Sequence, residues 1–181
     1  MKTYSTKILM AIMIFSLNIT MLTDSLAQQV QYGVRIGVND NHKKDLDLSV
    51  YEIYLHTVPP IYSIADNIYD LLNISFETAL GVIGEKTNST FLFSMGPTLK
   101  LFNYKNIVSF STGLKPSLMT NHVFENFDLG GTFNFKSNVE LIISPNKKIN
   151  LGYRFEHISN AGLYENNPGV NFHYFEVGYV L

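Results

Sequence analysis

The sequence predicts an all-β protein, namely an eight-stranded antiparallel up-and-down transmembrane β-barrel. Three observations support this fold class. Hydrophobicity alternates with a period of two through eight segments of about ten residues, the connections between these segments alternate between short and long, and no run of about 18 apolar residues follows the N-terminal segment. Because closure of a sheet satisfies the hydrogen bonds of every strand, such a chain can enter a membrane without a helical span.

The first 27 residues have the layout of an export signal peptide. Lys2 and Lys7 form a short positive region, residues 8–21 are apolar, and the small residue Ala27 ends the segment. We therefore expect cleavage after Ala27 and one barrel domain over residues 28–181. The alternative is an N-terminal membrane anchor, which is disfavoured because a spanning helix needs about 20 apolar residues.

Each of the eight predicted strands has one apolar face and one polar or small face. In the first strand, for example, Val34 and Ile36 alternate with Arg35 and Gly37. The same pattern places the strands at residues 30–38, 48–57, 72–83, 91–102, 107–118, 132–143, 149–159 and 171–181. Segment 58–71, on the periplasmic side between the second and third strands, is compatible with a helical turn and is otherwise left unassigned.

Alternation alone does not decide which face of the barrel points inward. A soluble lipocalin-like carrier would bury the apolar face. Here the polar face is rich in Gly, Ser, Asn and charges of both signs, which suits a small lumen filled by hydrogen bonds and favours the membrane barrel. On this interpretation a group of charged side chains packs inside the lumen, namely Arg35, Glu52, Glu77, Arg154 and Glu176.

The connections indicate how the barrel is oriented. Short turns are expected at residues 103–106 and 144–148, and longer loops at residues 39–47, 84–90, 119–131 and 160–170. An exported barrel begins and ends in the periplasm, so the longer loops face outward. The seventh strand then runs outward and ends at the level of the outer leaflet.

Composition excludes several function classes. Without residues 1–27 the chain has 11 basic and 14 acidic residues, a formal charge of −3, which argues against a nucleic-acid partner. The absence of cysteine, together with an export signal, fits a bacterial envelope protein better than a disulfide-stapled domain. The five histidines are scattered and lack the spacing of a zinc site, so we predict neither a metal nor another cofactor.

The densest polar stretch, residues 157–171, suggests a site for chemistry. His157 and Ser159 share one face of the seventh strand with Cα atoms about 6.6 Å apart, a spacing at which an imidazole can take the proton of a serine hydroxyl. The two residues continue the apolar row that ends at Phe155, where unpaired polar groups would lose hydrogen bonds with water. A substrate lying in the bilayer explains them better, and Asn171 can approach His157 from the eighth strand.

The segment His157-Ile-Ser-Asn-Ala-Gly162, followed by Asn167, Gly169 and a strand, resembles the signature of a known family. This is the lipid A 3-O-deacylase family of the PagL type, often grouped with the acyloxyacyl hydrolases of Gram-negative outer membranes. The resemblance is specific over residues 157–171 and extends more weakly to the whole strand pattern. It implies an exterior esterase site that removes the ester-linked 3-position acyl chain of lipid A, the anchor of lipopolysaccharide, without a metal.

Carried over by position, the resemblance implies roles for individual residues. Ser159 would be the nucleophile, and His157 would be the general base and then the general acid. The residues that fall where the family stabilises the oxyanion are Asn160, Gly162 and Asn167. The acid position of the family matches Asn171, an amide, which can orient the imidazole but supplies no negative charge.

Two functions from different classes therefore fit the sequence. One is a lipid A esterase in the outer membrane, and the other is a non-catalytic structural or adhesive barrel that retains the scaffold. Ordinary turn chemistry also fits the loop that follows Ser159, and we predict structural roles for His56 and His173. The sequence leaves open which acyl chain is removed and whether a homodimer forms.

Overall fold

The computed structural model describes residues 29–40, 46–58, 73–85, 88–124 and 127–181. The predicted signal peptide lies outside these ranges, and so does all but the first residue of the unassigned segment 58–71. Within the described ranges, no helix is both long and apolar enough to cross a membrane.

The fold consists of eight long strands and one short hairpin. In chain order the strands are β1 Gln29–Asn39, β2 Ser49–Val58, β3 Asn73–Gly84, β4 Ser89–Tyr104, β5 Val108–Met119, β6 Val123–Phe124, β7 Phe127–Asp128, β8 Phe133–Ile143, β9 Ile149–Ser159 and β10 Val170–Val180. The eight predicted strands match the eight long ones to within two residues at either end. The hairpin β6–β7, in the connection between β5 and β8, was not predicted.

The long strands form a closed antiparallel barrel, which confirms the predicted fold class. Each pairs with its neighbour along the chain, and β10 returns to pair with β1, for example through Val34 and Val177. Because the ring is closed, each of the eight long strands has a pairing partner on both sides. The connections β1–β2, β3–β4, β5–β8 and β9–β10 all lie at one end of the barrel, which we call the long-loop end.

Burial shows that the polar face points inward. Arg154, Lys115 and Lys136 are fully buried, whereas the outward-facing Val34 and Phe175 are 57% and 68% exposed. In a protein surrounded by water this arrangement would be unfavourable, because exposing apolar surface to water costs a free energy of about 25 cal/mol per Å². It suits a barrel whose outer wall contacts lipid, and it is the reverse of what the soluble-carrier alternative requires.

An ion network centred on Glu77 fills the lumen. Its carboxylate accepts hydrogen bonds from Lys115 at 2.6 Å, Arg154 at 2.7 Å and Arg35 at 2.8 Å, and it also contacts the imidazole of His56. The other carboxylates of the network are Glu52, Glu140, Glu156 and Glu176. The predicted charged lumen is therefore confirmed, as is a structural role for His56.

Towards the long-loop end the lumen changes from ionic to apolar. A buried cluster there includes Leu48, Phe124, Leu129, Ile158 and Phe172. Ile158 of β9 is fully buried in this cluster. Because side chains of a strand alternate, an inward Ile158 turns its two neighbours in the chain outward.

Removing the charge of Glu77 should destabilise the barrel. We expect Glu77→Gln to lower the free energy of unfolding by about 3–5 kcal/mol, because several buried cations lose their common counter-charge. Urea unfolding in detergent measures the change. Lys147→Gln, which removes a charge from an exposed turn, serves as the control and should change stability little; equal losses in the two variants would contradict the role given to Glu77.

Candidate active site

The site is built at the long-loop end of β9. Arg154, Glu156 and Ile158 point into the barrel and are buried, so the alternate residues His157 and Ser159 lie on the outward face, where both are partly exposed. The structure therefore brings the two residues onto the surface that meets lipid. Their positions depend on the three inward side chains, which hold this strand end against the ion network and the apolar cluster.

His157 is oriented by Asn171, its register partner on β10. Nδ1 of His157 lies 2.7 Å from Oδ1 of Asn171. Because a carbonyl oxygen can only accept, Nδ1 is the donor of this bond, and in the neutral imidazole Nε2 is then the nitrogen with the lone pair. Nε2 is thus the nitrogen that can take a proton from a hydroxyl group.

Gly169 packs against the other side of the imidazole. Its φ is +60°, and a Cβ atom at this position would lie 2.7 Å from Cε1 and 3.1 Å from Nε2 of His157. Only glycine allows both the backbone conformation and the close approach. The loop before β10 therefore holds the imidazole in place by direct contact.

Ser159 lies two residues beyond His157 and pairs across the sheet with Phe135 of β8. Among the hydrogen bonds of the described residues, none joins the Ser159 hydroxyl to the imidazole. Catalytic hydrogen bonds are often long in enzymes without substrate and tighten when substrate binds. Alternate residues of a strand have Cα atoms about 6.6 Å apart, so the two side chains are neighbours on the outward face.

The loop after Ser159 begins with a tight turn. The N–H of Leu163 donates to the carbonyl of Asn160 at 3.0 Å, and the two residues between them, Ala161 and Gly162, both have positive φ, as in a type I′ turn. The buried Asn160 side chain accepts from the Gly162 N–H at 2.9 Å. The predicted turn chemistry is thus present, and it engages the amide hydrogen of Gly162.

Asn160 also ties this loop to the neighbouring one. Its Nδ2 donates to the carbonyls of Asn166 at 2.7 Å and Leu129 at 2.9 Å. The N–H groups of this side chain are therefore engaged inside the loops. Asn160 fixes the position of the loop rather than presenting its amide to the outward face.

Asn167, another predicted oxyanion residue, uses its side-chain oxygen to hold the loop. Its Oδ1 accepts from the backbone N–H of Asn160 at 3.0 Å, and the side chain is exposed. This bond ties the amide of Asn167 to the residue directly after Ser159. With Oδ1 engaged, Nδ2 is the hydrogen-bond donor of this exposed side chain.

Two residues near His157 were missed from the sequence. Ser137 of β8 is the direct cross-strand partner of His157 on the outward face. Asp40, at the end of β1, donates its backbone N–H to the carbonyl of Asn171 at 2.9 Å. The alternation of β8 could have placed Ser137 on the outward face. The proximity of Ser137 and Asp40 to His157, however, depends on the strand register, which the sequence alone does not give.

Of two cavities on the surface of the barrel, one lies beside His157. A small cavity of about 110 Å³ lies beside the imidazole and is lined by Asp40, Leu46, His157, Pro168, Gly169, Val170 and Asn171. A larger one of about 940 Å³, lined mainly by apolar side chains such as Ile53, Leu80 and Phe93, includes neither His157 nor Ser159. We place the site beside the smaller cavity because His157 and its partner Asn171 line it, and Ser159 lies two residues further along β9.

His173 is the second histidine on the outward face of this part of the barrel. It follows Asn171 on the same face of β10, and its Nδ1 lies 2.6 Å from the Tyr153 hydroxyl. Its ring also packs against Phe155 at 5.3 Å between centroids. These contacts give it the structural role predicted, and they form the aromatic surface directly below His157.

Together, the closed eight-stranded barrel, the ionic lumen, the apolar outer wall and the outward-facing histidine define the class. The protein is a small outer-membrane β-barrel with a candidate enzyme site on its exterior. A comparison with protein-family models matches lipid A 3-O-deacylase (PagL) over residues 59–180, more than half of the chain. The chain belongs to this family.

Solved structures show the same fold. The crystal structure of the outer membrane enzyme PagL is similar with a TM-score of 0.66 and 14% identity, covering 82% of this chain and 97% of that one. A de novo designed transmembrane β-barrel is similar with a TM-score of 0.56 and 8% identity, covering 86% and 97%. A comparison with curated protein sequences finds no match.

Filling the space at Gly169 should displace the imidazole. We expect Gly169→Ala to break the hydrogen bond between His157 and Asn171, because the added methyl group would overlap Cε1. The signal of the hydrogen-bonded Nδ1 proton in NMR spectra of histidine-labelled protein measures this. In Gly84→Ala, where the nearest atoms lie 3.9 Å from the added Cβ, the signal should persist; its persistence in Gly169→Ala would contradict the packing argument.

Proposed function

We propose that this protein is a lipid A 3-O-deacylase-like esterase that hydrolyses an ester-linked acyl chain of lipid A by a serine–histidine mechanism. The observation that carries the proposal is the outward-facing His157, whose Nδ1 proton is held by Asn171 and whose Nε2 is free to act as a base. Membership of the family supports lipid A as the substrate.

The groups at the site can carry out both halves of an ester hydrolysis. The Ser159 hydroxyl attacks the acyl carbonyl while Nε2 of His157 takes its proton, and the Asn167 amide donates to the oxyanion that forms. His157 then returns the proton to the departing sugar oxygen, which leaves an acyl-serine. Water attacks the acyl-serine with His157 again as base, and the fatty acid and free Ser159 are released.

The position of the site fits a substrate held in the membrane. The long-loop end would face outward in an exported barrel, which places His157 at the outer leaflet of the bacterial outer membrane, where lipopolysaccharide resides. Directly below it, Tyr153, Phe155 and His173 form an aromatic surface on the outer wall. An acyl chain lying on that surface would bring its ester bond to the level of His157.

A second function, that of a non-catalytic structural or adhesive barrel, is favoured by one observation. Asn171 orients the imidazole of His157 but carries no charge to stabilise its protonated form. Mass spectrometry of lipid A from cells with and without this protein separates the two functions. A loss of one acyl chain that requires the protein supports the esterase, and unchanged lipid A supports the non-catalytic barrel.

Removing the Ser159 hydroxyl should abolish the reaction. We expect purified Ser159→Ala in detergent to release no fatty acid from lipopolysaccharide above background, since loss of the nucleophile costs on the order of 10⁶ in rate in a serine hydrolase. Chromatography of released 3-hydroxy fatty acid measures the rate.

Ser137→Ala is the matched control for this experiment, because it removes a hydroxyl from the other neighbour of His157 on the same face. It should keep most of the activity of the unmodified protein. Release that survives in Ser159→Ala but is lost in Ser137→Ala would assign the nucleophile to Ser137 and overturn the mechanism as written.

A further inference from the structure

A serine–histidine pair has an electrostatic requirement that Asn171 does not meet. When the imidazole takes the serine proton it becomes a cation, and a nearby negative charge stabilises that cation in the transition state. Asn171 accepts the Nδ1 proton at 2.7 Å but is neutral. A carboxylate close to this amide would supply the missing charge.

We propose that Asp40 is this carboxylate and that it supports His157 through Asn171, as a positioning residue. The inference rests on the proposed function and deepens it. It assigns a role to a residue outside the 157–171 stretch, directly after the strand that closes the barrel. The argument depends on register, on a shared cavity and on the chemistry of an amide.

The register places Asp40 beside Asn171. The β1–β10 ladder ends with Asn39 opposite Phe172, and the backbone hydrogen bond from Asp40 to Asn171 continues it by one residue. On the other side of β10, Asn171 is the partner of His157. The three residues therefore form one row across β9, β10 and β1.

Alternation places the side chain of Asp40 on the outward face. Asn39 is buried inside the barrel, whereas Val38 is exposed and Asp40 is partly exposed. Asp40 thus continues the outward row of β1 at the end of the strand. His157 and Asn171 lie on this same face.

The small cavity brings the three residues into one space. Asp40, Asn171 and His157 all line its volume of about 110 Å³. A space of this size holds only a few water molecules. Asp40 and the imidazole therefore border the same small volume, with Asn171 between them in the row.

The amide of Asn171 is suited to link the two groups. With Oδ1 directed to His157, its Nδ2 is left to donate towards a carboxylate on the opposite side. A carboxylate there selects this orientation of the amide and excludes the flipped one, which would present a donor to Nδ1. The arrangement fixes the histidine tautomer and adds the charge that the amide lacks.

Other charged or titratable groups near His157 are less well placed. Of the described residues, Glu156 faces the lumen, where it accepts from Tyr174 and pairs with Lys136, and Glu165 is exposed in the loop. His173 and Tyr153 are engaged with each other below the site. None of these four residues lines the small cavity, whereas Asp40 does.

The expected size of the effect follows from the strand spacing. β9 and β1 are two strand spacings apart, about 9.6 Å. A unit charge at that distance changes the rate about tenfold at the effective dielectric constant of a protein surface, about 20. We therefore expect Asp40→Asn to lower kcat about tenfold and to leave KM within about twofold.

The experiment compares Asp40→Asn, Asp40→Glu, Asn171→Asp and the double variant Asp40→Asn with Asn171→Asp. Two rates are measured for each full-length protein in detergent: release of fatty acid from lipopolysaccharide, and labelling of Ser159 by a fluorophosphonate. Asp40→Glu should keep most of both rates. Asn171→Asp places a carboxylate directly on Nδ1, so the double variant should be as active as Asn171→Asp alone.

Asp47→Asn is the matched control, since Asp47 is an exposed carboxylate at the same end of the barrel, and it should keep both rates. Equal rates for Asp40→Asn and the unmodified protein would overturn the inference. So would a tenfold loss that persists in the Asn171→Asp background, because that loss would be structural.

The second rate separates this inference from the proposed function. If the unmodified protein labels at Ser159 but leaves lipopolysaccharide intact, the proposed substrate fails, and the labelling rates alone decide the role of Asp40. If Ser159 does not label in the unmodified protein, the serine–histidine mechanism and this inference are both overturned.

Discussion

The carboxylate of Glu77 is the point on which the barrel depends. It lies on β3 and binds cationic or imidazole side chains from four other strands, namely Arg35 of β1, His56 of β2, Lys115 of β5 and Arg154 of β9. Strands on opposite sides of the ring are thereby joined through the lumen. Because buried charges must be paired, these side chains face one another in the lumen. The alternate, apolar side chains of the same strands then face outward and form a surface for lipid.

The exterior site follows from that interior. The buried side chains of Arg154, Glu156 and Ile158 fix the inward face of β9. Because side chains alternate along a strand, His157 and Ser159 point outward. The lumen thus supplies rigidity, while the two residues of the proposed site remain on the face that a lipid can reach. The loop between β9 and β10 adds the rest of the site. From this loop, Gly169 contacts the imidazole of His157 and Asn167 binds the backbone of Asn160.

Much of the fold could be predicted from the sequence because one local signal, a period of two, specifies both the strands and their faces. Lumen residues such as Glu77 and outward residues such as Phe155 were assigned in this way. The pairing of strands is not a local property, so Ser137 and Asp40 were missed although both lie beside the His157–Asn171 pair. The two-residue strands of the β6–β7 hairpin are too short to show a period.

The apolar outer wall has a consequence for kinetics. A lipid reaching His157 from the surrounding leaflet arrives by lateral diffusion in two dimensions, without passing through water. Its encounter rate is then set by its surface density, that is, by its mole fraction in the leaflet, and bulk concentration is not the relevant variable. Dilution of vesicles at constant lipid composition would leave turnover per protein unchanged, whereas dilution of the substrate with inert lipid would slow it.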